Sequence, residues 1–102
     1  MLTKLNICDY LKQYNDDDIL IDLRSKEMFN FGTIKNAVNI PMDNISGLYD
    51  LPKEKKIYLF CQVGDYSEEI AELLSDAGFD VCDLTGGYRE YMRYKLTQDE
   101  QL

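Results

Sequence analysis

The segment IYLFCQVGDYSEEIAELL, Ile57 to Leu74, limits the fold of the whole chain. IYLF is a strand apolar on both faces, the kind that lies inside a parallel sheet covered by helices on each side. Cys61 follows it directly, then a short loop whose one glycine is Gly64. Ser67 to Ala77 has the spacing of an amphipathic helix, with Ile70, Ala71, Leu73, Leu74 and Ala77 along one side. Gly78 stands where a C-terminal cap belongs. A buried strand feeding a helix in this way is part of a β–α–β unit.

The remainder of the chain keeps the same alternation. Asn6 is placed to cap a short helix reaching about Tyr14, with Asp9 three residues on as in a capping box. NDDD interrupts, and ILIDL (Ile19 to Leu23) is an apolar run of strand length. Ser25 caps KEMFNF, which Gly32 ends; AVNIP is a brief strand closed by Pro41; MDNISGLYDLP reads as a helical turn and loop. FDVCDL is the next strand, Gly86 and Gly87 make a turn, and YREYMRYKL is a last helix. The tail from Thr97 to Leu102 is expected to fray. At 102 residues the chain is expected to form one α/β domain, 1–102, with a mostly parallel sheet. Ligands of such sheets bind beyond the carboxyl ends of the strands, which is where Cys61 lies.

Charge and composition exclude several partners. Nineteen acidic against 11 basic residues leave a formal charge of −8, which repels a phosphate backbone or an anionic membrane surface. There is no run of about 18 apolar residues to span a bilayer. MLTKLNICDY has neither the apolar core nor the cleavage site of a signal peptide, so none is expected. Three scattered cysteines, at 8, 61 and 82, are not a disulfide framework and fit a reducing, cytoplasmic setting. Without histidine or a Cys-x-x-Cys pair, neither a metal site nor a cofactor is expected.

Cys61 combines three features: a rigid strand end, a helix N-terminus whose partial positive charge favours a thiolate, and a glycine-bearing loop able to turn N–H groups inward as an anion nest. Asp65, Glu68 and Glu69 oppose that preference, although the two glutamates also suit the first turn of a helix. The other reading of Cys61 is a small buried hydrophobe, and Cys8 and Cys82 are read that way. A cysteine-type phosphatase needs arginine six positions after its nucleophile, where this chain has Ser67. A dithiol oxidoreductase needs a second cysteine three positions on, where it has Gly64. Gly86 and Gly87 lack the Gly-x-Gly-x-x-Gly setting of a phosphate loop.

Taken in order, four blocks resemble the rhodanese-like domain: ILIDLRSKEMFNFGTIKNAVNIP, IYLFCQVGDYS, AELLSDAGF and VCDLTGGYREY. CQVG with GGYREY especially resembles the rhodanese domains attached to coenzyme A-disulfide reductases and related flavin-dependent oxidoreductases. The resemblance covers about Leu5 to Tyr94 and implies a mostly parallel five-stranded sheet flanked by helices on both faces. It also implies a sulfurtransferase that carries sulfane sulfur as a persulfide on Cys61, cradled by the N–H groups of Gln62, Val63, Gly64, Asp65, Tyr66 and Ser67. A sulfur donor and a thiol acceptor, small molecule or protein cysteine, would be its partners, with an oxidoreductase or sulfur-carrier protein among the possibilities. Asp22 and Arg24 match a family pair of structural character. The loop from Cys61 to Tyr66 has the six-residue length associated with sulfur substrates.

Departures from the family pattern bear on donor choice. The usual arginine at the sixth loop position is Tyr66, and the fifth position is Asp65; Thr33 and Tyr91 replace a histidine and a tryptophan, changes expected to affect packing only. An acidic rim without arginine disfavours thiosulfate, so the expected donor is neutral or thiol-borne. A rhodanese-like binding or regulatory module, and a redox-sensing thiol, are the alternatives.

Overall fold

The computed structural model describes residues 1–100. Its elements run β1 (Leu2–Asn6), α1 (Ile7–Leu11), β2 (Ile19–Asp22), α2 (Lys26–Phe31), β3 (Val38–Asn39), a kinked 3₁₀ segment (Met42–Asp50), β4 (Lys56–Phe60), α3 (Asp65–Asp76), β5 (Asp80–Thr85) and α4 (Gly87–Glu100). The five strands form one sheet in the order β1-β5-β4-β2-β3, and every pairing is parallel. The four strands read from sequence are present, and β1 is an addition to them. Leu2 to Asn6 pair with Val81 to Thr85, so β1 is an edge strand whose partner lies far along the chain. Asn6 does cap α1, its side chain accepting from Cys8 N at 2.8 Å, but α1 ends at Leu11 rather than near Tyr14. Asp9 stands 3.7 Å from Lys12 Nζ, one turn on.

Two apolar layers cover the sheet. On one face Ile57, Leu59 and Val81 meet Ile70, Ala71 and Leu74 of α3, with Leu48 of the 3₁₀ segment. On the other face Leu20, Phe60, Cys82 and Leu84 meet Ile7 and Tyr10 of α1, and Tyr88 and Tyr91 of α4. β4 buries side chains on both faces, as its unbroken apolar run requires. α3 starts at Asp65, two residues earlier than its spacing suggests, and closes with Phe79 N donating to Leu74 O and Gly78 N to Ser75 O. α4 continues past Leu96 to Glu100, with Thr97 Oγ1 donating to Arg93 O, so the expected frayed tail is helical as far as Glu100; Gln101 and Leu102 lie outside the described residues. Among the described residues, no helix is long and apolar enough to cross a membrane.

The topology sets the place of the site. From β2 the chain moves outward through α2 to β3, whereas from β4 it moves the other way through α3 to β5. The carboxyl ends of the adjacent strands β2 and β4 are therefore a switch point, where two connections diverge and leave a crevice.

Candidate active site

That crevice is a groove of about 900 Å³ lined by Leu23 and Arg24 after β2, by Met28 of α2, by Pro41 and Met42, and by Cys61, Gln62, Asp65 and Tyr66 after β4. Cys61 follows the last residue of β4 and is 4% exposed. Its Sγ receives two backbone N–H groups, from Gly64 at 3.1 Å and from Ser67 at 3.3 Å. Gly64 has φ 99° and is the residue before α3, so one left-handed residue turns the chain from the strand into the helix around the sulfur. Both donors belong to the N-terminal end of α3, where the helix dipole adds to their effect on a sulfur anion.

Of the six loop residues read as the cradle, two supply N–H groups to the sulfur and the others are engaged differently. Tyr66 N donates to Asp65 Oδ1 at 2.7 Å. Gln62 O accepts from Arg89 N at 3.0 Å, and Val63 is exposed. Tyr66, in the place of the family's arginine, packs partly against the apolar layer, and burial pushes its phenol up, with Glu69 and Cys61 adding to the shift. It therefore brings a neutral hydroxyl to the groove and no cation. Glu68 points to Lys4 of β1, at 3.3 Å, which draws one carboxylate of the expected acidic rim into a surface ion pair.

Asp22 and Arg24 form a buried pair beside the groove. Arg24 Nη2 lies 2.8 Å from Asp22 Oδ2 and Nε 3.0 Å from Oδ1, and Arg24 N donates to Oδ1 at 2.9 Å. Nη2 also donates to Gly32 O, and the guanidinium lies 3.8 Å from the ring centroid of Tyr88. Asn39 Nδ2 donates to both Asp22 O and Arg24 O at 2.9 Å, which ties the end of β2 to β3. Thr33 contributes more than packing, since its Oγ1 donates to Asp22 Oδ2 at 2.8 Å. Tyr91 packs on Tyr88.

Sequence reading missed the support beneath the loop. Tyr88 N donates to Cys61 O at 2.8 Å and Arg89 N to Gln62 O, so the N-terminal end of α4 holds the loop's carbonyls. A Cβ on Gly87 would come within 2.6 Å of Cys61 O and 2.7 Å of Gln62 O, so a residue without a side chain is required there. The signal was the Gly86-Gly87 doublet just before a helix. Asp83, read as part of an apolar strand, is buried, and its Oδ1 accepts from Ser67 Oγ at 2.6 Å.

The chemistry available is that of one sulfur held by backbone dipoles at the floor of a mostly apolar groove. No cluster of side chains suited to a metal ion occurs among the described residues. The rhodanese-like domain model matches residues 8–94. The adenylyltransferase and sulfurtransferase uba4 of Ogataea parapolymorpha is 32% identical over 77 residues, spanning 72% of this chain and 20% of that protein. A rhodanese-related protein from Thermoplasma volcanium superimposes with a TM-score of 0.81 at 26% identity, covering 90% of this chain and 92% of that one. Reduced Bacillus anthracis CoADR-RHD superimposes with a TM-score of 0.79 at 28% identity, covering 88% of this chain and 16% of that one. The chain spans about a fifth of the length of the curated relatives it matches. From a family match over most of its length and from its five-stranded fold, the chain belongs to the rhodanese-like domain family.

Proposed function

We propose that this domain is a sulfurtransferase that carries sulfane sulfur on Cys61 and takes it from a neutral or thiol-borne donor rather than thiosulfate. The observation that carries this reading is the pair of N–H groups, from Gly64 and Ser67, aimed at Cys61 Sγ at the floor of the groove. The Cys61 thiolate attacks the outer sulfur of a donor persulfide. The donor's S–S bond breaks, its thiolate leaves, and a Cys61 persulfide forms. An acceptor thiolate then attacks the outer sulfur, leaving as a persulfide and restoring the Cys61 thiolate, so no external oxidant or reductant is needed.

Donor preference follows from charge. Glu27, Asp43 and Asp65 line the groove against Lys26, while Arg24 is already neutralised by Asp22. A dianion entering there meets net negative potential, and no loop arginine repays its desolvation. The family resemblance to domains of longer sulfurtransferases supports a protein thiol, on an oxidoreductase or a sulfur carrier, as donor or acceptor, and the unpaired cysteines suit a cytoplasmic setting.

Intact mass after exposure to thiosulfate and to a low-molecular-weight persulfide tests the reading. Gain of one sulfur atom from the persulfide, located at Cys61 by peptide mapping, is the expected result. Tyr66 and Asp65 support a second reading, a binding module that has lost turnover. Failure of every donor to load Cys61 would favour it.

A further inference from the structure

We propose that Asp83 is a positioning residue for Cys61 that acts through the Ser67 hydroxyl, and that one proton at Asp83 decides which way this hydroxyl points. The inference rests on the assignment of sulfur chemistry to Cys61. Asp83 lies on β5 opposite Leu59 in register, on the α3 face and one pleat behind Cys61. It is 1% exposed, and Ser67 is fully buried. Ser67 Oγ lies 2.6 Å from Asp83 Oδ1 and 3.3 Å from Gly64 O. A hydroxyl has one proton, and both neighbours are acceptors when the carboxyl is ionised. It can then serve only one of them.

With Asp83 ionised, Ser67 donates to Asp83 in a charge-assisted bond and Gly64 O loses the hydroxyl. With Asp83 neutral, Oδ1–H donates to Ser67 Oγ, and Ser67 donates to Gly64 O. That second arrangement fastens Ser67 to Gly64, the two residues whose N–H groups meet Cys61 Sγ. Asp83 Oδ2 is buried without a hydrogen-bond partner among the described residues, so the ionised form leaves a charged oxygen unpaired there whereas the neutral form leaves only a carbonyl oxygen, at lower cost.

Every element packed against Asp83 bears on its charge. Lys4, its register partner on β1, favours the ionised form, but its ammonium is shared with Glu68 at 3.3 Å. Glu68 from α3 opposes ionisation, Ser67 favours it through the hydrogen bond, and β4 presents the apolar Leu59. Burial is the largest influence and pushes the Asp83 carboxyl above the usual aspartate range.

Two measurements on the intact protein test the proposal. Carboxyl ¹³C NMR should show Asp83 titrating above the exposed aspartates, with its midpoint moved in Ser67→Ala. The rate of Cys61 alkylation by iodoacetamide against pH should depart from a single ionisation in the native protein. In Asp83→Asn the amide donates to Ser67 at every pH. The curve should become a single ionisation, with alkylation about three- to tenfold faster where the native Asp83 is charged. An ordinary Asp83 midpoint, or superimposable native and Asp83→Asn curves, would overturn it. If Asp83→Asn does not fold, the native carboxyl titration and the move of its midpoint in Ser67→Ala decide alone. Iodoacetamide requires no sulfur donor, so loss of the relay and failure of sulfur loading are read separately.

Discussion

Cys61 and Cys82 are alike in burial and unlike in everything that gives a thiol chemistry. They belong to neighbouring strand segments, Cys82 within β5 and Cys61 just after β4, and are 3% and 4% exposed. Cys82 stands within β5, beside Tyr58 in register and packed among the side chains under α1 and α4. Its thiol is pushed up chiefly by burial, with Asp83 and Asp80 adding and Thr3 and Lys56 opposing. Cys61 lies one residue beyond its strand, on the α3 side, where the backbone turns two N–H groups onto the sulfur. Depth does not separate the two cysteines; the end of the strand does. Within a parallel strand the N–H groups are committed to the sheet, and only where the ladder stops can they point at a side chain.

The largest expected effect tests this contrast directly. Cys61→Ser should abolish persulfide loading, while Cys82→Ser should load like the native protein, both read by intact mass. Loading that follows Cys82 instead would place the chemistry inside the sheet and reverse the comparison.

Next come the glycines that bring the loop and α4 together. Gly87→Ala puts a Cβ against two loop carbonyls, and overpacking of this kind costs about 1–3 kcal/mol. The melting temperature and Cys61 loading should both fall. Gly64→Val places a branched side chain at φ 99° and 3.1 Å from Gly86 N, at a cost of about 1 kcal/mol or more. There, loading should fall further than stability does, because the distortion is centred on a donor to the sulfur. Equal loading in native and Gly64→Val protein would show that the loop N–H groups do not govern Cys61.

These glycines also show how much could be read from sequence. The run from Ile57 to Leu74 announces its strand, loop and helix through side chains, so the position of Cys61 was legible. The docking of α4 was not, since backbone N–H groups meeting backbone carbonyls leave no trace beyond a glycine doublet. β1 was missed because LTKLN is a short edge strand of mixed polarity whose partner begins at Val81. Asp83 gives no signal in the sequence, because one carboxylate in a short strand can face either solvent or a neighbouring element. Its inward direction follows only from pairing with Leu59.

A moderate effect should appear in donor choice, at the mouth that Cys61 has and Cys82 lacks. Tyr66→Arg supplies a cation beside the groove, and Asp65→Asn removes an anion. A hydrogen bond to a charged group contributes about 1.5–3 kcal/mol, so thiosulfate turnover should rise roughly ten- to a hundredfold in the double variant. Transfer from a neutral persulfide should change little. Brisk thiosulfate turnover by the native protein would show that the groove charges do not select the donor.

The smallest effect concerns stability, and its sign can be worked out from Asp83. Burial raises the carboxyl's proton affinity in the folded state above that of the unfolded chain. Between the two values the folded protein binds more protons than the unfolded, so unfolding free energy declines as pH rises. The contribution is complete below the usual aspartate range and is lost as pH climbs through the folded value. Asp83→Asn removes this slope while keeping a donor for Ser67. Its melting temperature relative to native should therefore be more favourable at about pH 7 than at about pH 4, as read by calorimetry. Cys82→Ser offers the matching control on the opposite face of the sheet. It deletes a thiol that stays neutral across that interval, so its offset from native should be the same at both pH values. A difference that grows toward acid in Asp83→Asn would mean that the folded state prefers the carboxylate, and that Lys4 outweighs burial at this site.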